Sequence, residues 1–457
     1  MVSRGVLNQF WAAITGSLSI MNVGIILGWT SPIMKELLGP NSPIPMSVDE
    51  SSWFVSIIDW GLIVGSIPFG ILSDRWGRKL SLLLIGPLAL FTWIGVLWVD
   101  NFRGLLIIRF FQGLLSAGAY TILPVYAGEI AGSKIRGALG TMFQILMYVG
   151  ILYVYVIGTY LDFKNLTYAL MVGPILFFVL FLFVPESPHF YIMQNRLPDA
   201  KRSLIWLRGV ADQSIDEEMD SAVDCICKEM RNASFSELFT DHFSLKALAI
   251  VQGLSVFRVM AGITALISYA SITFSEMHVD IDPNKLSIIF ACSVLFAALP
   301  STILSDYVGR RPLMMISCTF CFVFDTAIFG YFYLDRKTNY DVIDYGWLCV
   351  AAVGGLSVAH TIGLGSLLST INCELFPSNT RSTANAINTI TLTIVSFLAL
   401  KIYPVLAVNE GMYRNYLISS LFSLLSIICC YIWLPETKGK TFASIQAQFR
   451  KINNDLG

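Results

Sequence analysis

The chain has 457 residues, of which 55% are apolar and only 13% charged, and its formal net charge is -1. A soluble domain carries about a quarter charged residues, so this composition excludes one. With no basic excess to release counterions it also excludes a nucleic-acid binder held by phosphate neutralisation. What remains is a polytopic membrane protein whose partners are the lipid bilayer and a small-molecule solute.

A membrane-spanning helix needs about 20 apolar residues. Runs of that kind occur at roughly 10–30, 52–72, 80–99, 104–126, 138–160, 168–185, 246–275, 286–305, 313–334, 344–370, 383–407 and 414–434. The expectation is an all-α membrane protein of 12 transmembrane helices in two six-helix bundles. The chain divides into 1–186, a first bundle; 187–245, an amphipathic helical linker; 246–437, a second bundle; and 438–457, a tail. Arg4 is followed by a long apolar stretch without a small-residue cleavage site, so the first span is expected to be retained.

Lysine and arginine set the orientation. Loops and ends on one side carry 20 of them, including Arg75, Arg78, Lys79, Lys134, Arg136, Lys201, Arg310, Arg311, Arg381 and Lys438, against eight on the other side. Both termini and the linker are therefore expected in the cytoplasm. Asn165-Leu166-Thr167 is then a possible external glycosylation sequon, and Asn232-Ala233-Ser234 stays bare. The nine cysteines fall in spans or in the linker, which argues against a disulfide framework. Cys225-x-Cys227 lacks a second ligand pair for zinc, so no metal is expected. The Gly-x-x-x-x-Gly-Lys phosphate loop does not occur, and no paired catalytic carboxylates sit in a water-facing domain. The protein is not expected to be an enzyme or to need a cofactor.

One charged turn occurs twice. Gly70-Ile71-Leu72-Ser73-Asp74-Arg75-Trp76-Gly77-Arg78-Lys79 separates two spans in the first half, and Leu304-Ser305-Asp306-Tyr307-Val308-Gly309-Arg310-Arg311 does so in the second. Arg109 in the fourth span precedes Glu129 and Arg136, and these are echoed by Glu374 and Arg381 after the tenth. Carboxylates and guanidinium groups so placed can pair across helix ends when the cytoplasmic side is shut and part when it opens. The expected gating set is Asp74, Arg75, Arg78, Arg109, Glu129, Arg136, Asp306, Arg310, Arg311, Glu374 and Arg381, and two related halves suit a transporter built from repeats.

Taken with Val125-Tyr126-Ala127-Gly128-Glu129, Pro185-Glu186-Ser187-Pro188 and Pro435-Glu436-Thr437-Lys438-Gly439, these motifs resemble the sugar porter family of the major facilitator superfamily. Gly28-Trp29-Thr30-Ser31-Pro32 and Asn41-Ser42-Pro43-Ile44-Pro45 before Ser52-Trp53 resemble its insect trehalose and hexose branch. The resemblance implies two bundles rocking around a central sugar site in the plasma membrane. It places Gln144 where the family's span 5 glutamine bonds sugar hydroxyls, and Asn22 where proton-coupled relatives carry aspartate. An amide takes up no proton at physiological pH, so the resemblance implies uniport.

The second half departs from the pattern. Where the family has Gln-Gln-x-x-Gly-Ile-Asn, the chain reads Arg258-Val259-Met260-Ala261-Gly262-Ile263-Thr264; where the family has Gly-Pro-x-Pro-x-x-Trp, it reads Gly363-Leu364-Gly365-Ser366-Leu367-Leu368-Ser369. The span 8 asparagine falls on Val294. Arg258, Thr264 and Ser369 thus join Gln144 and Asn22 as the candidate substrate-binding set. A guanidinium near the bilayer centre costs about 2.5–3.5 kcal/mol on insertion scales, so Arg258 is expected either to pair with a carboxylate such as Asp59 or to face a wet cavity that takes an anionic or strongly polar solute. His360 reads as a packed, hydrogen-bonded residue, and Tyr120, Tyr148 and Trp347 as cavity aromatics. Facilitative transport of a sugar such as trehalose or a hexose is the leading reading. The alternatives are a transporter-like receptor without turnover and a carrier of a non-sugar or anionic solute.

Overall fold

The computed structural model describes residues 4–40, 42–132, 135–209, 215–216, 218–220, 223, 242–338, 341–376 and 378–438. Among them are 11 helices long and apolar enough to cross a membrane, together with the shorter apolar helix Met142–Gly158, and no strand. A bilayer offers backbone amides no water, so each spanning segment must satisfy its hydrogen bonds internally, as a helix does. Pro68, Pro87, Pro124, Pro300 and Pro404 each lie inside a helix that runs on unbroken.

The chain falls into two compact units, Met1–Met46 with Ile57–Asn232, and Ser47–Ser56 with Ala233–Gly457. In the first unit α1 (Arg4–Gly28) runs on through Trp29 into α2 (Thr30–Leu37). Next come α3 (Val48–Trp76), α4 (Arg78–Trp98), α5 (Phe102–Ile130), α6 (Arg136–Gly158), α7 (Phe163–Leu170) and α8 (Val172–Phe181). Local signals set the starts. Ser47 and Glu50 form a reciprocal capping box before α3, with Glu50 accepting from the Ser47 amide at 2.8 Å and Ser47 from the Glu50 amide at 3.2 Å. Asn101 caps α5 by accepting from the Gly104 amide at 2.8 Å.

Lipid supplies no hydrophobic drive between helices, so close packing of small residues must hold them together. The contact of α1 with α6 is of this kind. A Cβ at Gly24 would lie 2.1 Å from the Met147 carbonyl oxygen, and one at Gly150 would lie 2.2 Å from that of Met21. A core of Ile20, Leu82, Ala119, Ile122, Tyr126, Phe177 and Phe181 fills the space among α1, α4, α5 and α8.

Two short helices follow, α9 (Pro188–Met193) and α10 (Leu197–Arg208). They share an apolar cluster of Ile192, Ala200 and Leu204 with Ile215 and Met219. The described part of this segment is helical, with its apolar residues gathered on that cluster. It docks on the end of the unit where α1 begins: Gln9 donates to the Leu207 carbonyl at 3.1 Å, and Arg208 to that of Ile130 at 3.0 Å. Cys225, Cys227, Asn232 and the tail beyond residue 438 lie outside the described residues.

The second unit holds α11 (His242–Met260), α12 (Ile263–Ser275), α13 (Pro283–Val308), α14 (Arg310–Lys337), α15 (Gly346–His360), α16 (Leu367–Leu375), α17 (Ser378–Asn409) and α18 (Tyr413–Trp433). Two of its spans are irregular at mid-length. The span Phe243–Ser275 breaks between α11 and α12 at Gly262, whose φ is +85°. The span containing α15 passes through a π-helical turn, Thr361–Gly365, before α16. The close pair α14 and α18 carries polar links inside the apolar bundle: Ser423 donates to Asp325 at 2.8 Å, and Thr326 and Ser420 share a hydrogen bond of 2.8 Å.

The repeated turn has the same backbone in both units. Gly77 and Gly309 have φ of +100° and +102° with ψ of 159° and 160°, a region open essentially to glycine alone. A Cβ at Gly77 would also meet Glu186 at 2.3 Å. Gly77→Ala is therefore expected to lower the thermal midpoint of the purified protein, by the equivalent of about 1–3 kcal/mol for the backbone alone. Gly354→Ala, inside α15 with nothing within 4 Å of its added Cβ, should leave it unchanged or raised.

Candidate functional site

Of the residues expected to gate, Asp74, Arg78 and Glu129 gather in the first unit and Arg310, Arg311 and Glu374 in the second. In the first, Arg78 is buried and its guanidinium meets Glu129 at 3.1 Å and Asp74 at 3.2 Å. His189 lies 4.0 Å from the same Glu129 oxygen. Glu186 accepts from the Lys79 amide with both oxygens at 3.0 Å and from the Ser187 amide at 2.8 Å. The Lys79 ammonium donates to the Leu182 carbonyl at 2.9 Å.

The second unit repeats this arrangement. Arg310 meets Glu374 at 3.0 Å. Glu436 accepts from the amides of Arg310 at 3.0 Å and Arg311 at 3.1 Å, and Arg311 donates to the Tyr431 carbonyl at 2.6 Å. Thr437 also donates to Glu374. Each cluster ties a helix start, the end of a second helix and the segment after the last membrane span of its unit. The charge-assisted bonds satisfy amides that a helix N-terminus otherwise leaves bare.

Not every expected gating residue joins a cluster. Arg75 is exposed and forms no ion pair among the described residues. Arg109 is 1% exposed and lies 20 residues before Glu129 in α5, about 30 Å away at helical rise. It donates to the Ile26 carbonyl at 2.9 Å and to Gln112 at 3.1 Å, and sits 5.6 Å from the centre of the Trp29 ring. Its contacts pack α5 against α1, at the opposite end from Glu129. The side chains of Arg136, Asp306 and Arg381 lie outside the described residues.

The residues expected to bind substrate are scattered along the spans. Gln144 is half-buried on α6 and donates to the Tyr148 hydroxyl at 3.3 Å. Asn22 is buried in α1 with neither amide atom hydrogen-bonded, and its side-chain oxygen is 2.4 Å from where a Gly173 Cβ would stand. Thr264 is half-buried in the first turn of α12. Ser369 is exposed and turns back to its own helix, donating to the Ser366 carbonyl at 3.1 Å. Arg258 occupies the last turn of α11 and is half-buried; His360 Nε2 bonds its carbonyl oxygen at 3.0 Å. His360 is thus packed and bonded, as expected. Trp347, read as a cavity aromatic, is 55% exposed at the start of α15.

Three features of the site were missed. Glu186 and Glu436 were read as family motif, not as ligands of the turns, although each sits in a Pro-Glu-Ser or Pro-Glu-Thr step ending one half. Lys401 is one of the eight Lys and Arg that the sequence sets on the far side. It is the hub of a clasp in the second unit, to which the first turns of α3 belong: its ammonium donates to Asp49 and to Ser52, both at 2.7 Å, and stands 4.5 Å from the Trp53 ring centre. Lys401 lies inside an apolar run, which is the signal that could have marked it.

The sugar (and other) transporter family matches the chain over residues 9–449, and the chain belongs to that family. It is 30% identical to a facilitated trehalose transporter, Tret1, of Bombyx mori, over 98% of this chain and 88% of that one. A Tret1 of Culex quinquefasciatus is 27% identical over 97% and 86%. Among solved structures, the inward-open xylose transporter XylE of E. coli superposes with a TM-score of 0.77 at 21% identity, covering 96% of this chain and 98% of that one. The proton:xylose symporter XylE with bound 6-bromo-6-deoxy-D-glucose gives 0.76 at 19%, over 98% and 99%. At that identity the structures establish the fold, that of the major facilitator superfamily. The protein is a multi-pass membrane transporter, not an enzyme.

Burial pushes the Glu186 carboxyl above its ordinary value of 4.5, against the opposing pull of the Lys79 and Ser187 amides and of Arg78. Between that value and the folded one the folded chain holds more protons than the unfolded chain, so this group's contribution to stability falls as pH rises. Glu186→Gln removes the titration. The difference in thermal midpoint, variant minus parent, is expected to become more positive as pH is raised from 4.5 to 7.5, read by a fluorescence melt in detergent.

Proposed function

We propose that the chain is a facilitative transporter, a uniporter, that moves a sugar such as trehalose or a hexose down its gradient across the plasma membrane by alternating access. The observation that carries the uniport reading is Asn22. It is a buried amide in the first span, at a position where a coupled carrier needs a group that takes and releases a proton. The relatives named as facilitated trehalose transporters support the substrate class. The excess of Lys and Arg on one side supports an orientation with both termini in the cytoplasm.

In this reading the two clusters are the moving parts of the cytoplasmic mouth. Arg78 with Glu129 and Arg310 with Glu374 are charge-assisted pairs at helix ends, and such pairs have two discrete states, made and broken. A ligand drives the cycle only through its different affinity for the two states. Uptake of radiolabelled trehalose and glucose in a host without sugar transport is expected to reach equilibrium without accumulation and to be indifferent to a protonophore. Accumulation driven by a pH gradient would overturn the uniport reading. Glu129→Gln combined with Glu374→Gln is expected to lower the initial rate about tenfold, the effect of ~1.4 kcal/mol on a barrier, with surface expression checked by labelling.

A further inference from the structure

We propose that Arg258 holds an anionic group of the transported solute, so that the carbohydrate carried bears a carboxylate or a phosphate. The inference rests on the transport reading above and narrows its substrate class. Arg258 stands near the middle of the span Phe243–Ser275, where a cation has no water unless a cavity or a ligand supplies partners. Among the described residues its guanidinium forms no ion pair and no side-chain hydrogen bond; only its backbone carbonyl is engaged, by His360. Two other basic side chains of this unit have carboxylate partners, and buried Asp325 keeps one oxygen without a partner. Asp325 accepts from Ser423, Arg310 meets Glu374, and Lys401 meets Asp49. The carbonyl end of α11 favours a positive charge, which explains why arginine is tolerated there. It uses none of the five N–H donors the side chain carries.

The surroundings match the rest of such a solute. A carbonyl only accepts, so the His360 nitrogen facing the Arg258 carbonyl is the protonated Nε2, and Nδ1 keeps its lone pair. His360 is 5% exposed and its Nδ1 is without a partner; the next residue, Thr361, is 0% exposed, and its hydroxyl is likewise unpaired. Both sit where backbone regularity is lost, at the entry to the π-helical turn Thr361–Gly365, which packs on α11 beside the Gly262 break. A fork of donors for the anion, an acceptor for one hydroxyl and a hydroxyl for another make up the recognition set of a sugar acid or a sugar phosphate. A guanidinium pairs with either anion bidentately.

The test compares glucuronate, glucose 6-phosphate, glucose and trehalose, as uptake in proteoliposomes of the full chain and as thermal stabilisation of the purified protein. The expected result is that at least one of the two anions binds about tenfold or more tightly than glucose, the effect of charge-assisted bonds. Whichever anion does so identifies the group. Arg258→Gln should collapse the anion-to-glucose affinity ratio, and Arg258→Lys, which keeps the charge and loses the fork, should restore part of it. Neutral sugars favoured over both anions by the parent protein, or a ratio unchanged in Arg258→Gln, would overturn the proposal. If no solute enters proteoliposomes yet an anion stabilises the parent and not Arg258→Gln, the transport reading fails while Arg258 is upheld as an anion-binding residue. If Arg258→Gln does not fold, the parent's ratio and Arg258→Lys decide.

Discussion

The turns at Gly77 and Gly309 depend on one kind of bond, a half-buried carboxylate closing on the bare amides of a helix start. Glu186 and Glu436 reach back from the end of each half to do this. The glycine's positive φ aims those amides at the carboxylate, and the arginine that follows is free to turn its side chain to Glu129 or Glu374. Lys79 and Arg311 then donate to the carbonyls of Leu182 and Tyr431. Remote parts of each half are thereby joined at one point, in a setting where an unmatched charge or amide is costly to bury.

The interior of the spans follows a different rule. Where α1 meets α6, glycines let two backbones approach until no side chain fits between them, and rigidity comes from packing. At Gly262 and at Thr361–Gly365 the helices give up regular hydrogen bonding. Irregular backbone at membrane depth is tolerated only where protein or water covers it, and transporters use such places to bind. That Arg258 and His360 meet at this irregularity, and not along a regular stretch, is what gives the arginine a chemical meaning beyond its cost.

All twelve spans were legible in the sequence because length and apolarity alone mark them, and bilayer thickness allows little latitude. The repeated charged turn was legible for a similar reason: four charged groups, Asp74, Arg75, Arg78 and Lys79, between two apolar runs admit few arrangements. Arg109 shows the limit. Its place in the same helix as Glu129 suggested a shared role, yet 20 helical residues put it at the other end, bonded to Ile26 and Gln112. Ser369 likewise spends its hydroxyl on its own helix, which no pattern of spacing discloses.

What the sequence determined by itself is the class of protein, the number of spans, the kinship of the two halves and the residues that could carry charge in the membrane. Each follows from composition or local periodicity, which the bilayer reads one segment at a time. Tertiary structure alone decided which charges meet. Glu186 and Lys79 are far apart in the chain, as are Glu436 and Arg310, Lys401 and Asp49, and His360 and Arg258. Such contacts come from how helices pack and where they break, and side chains at the same depth in different helices become neighbours only after that packing is set.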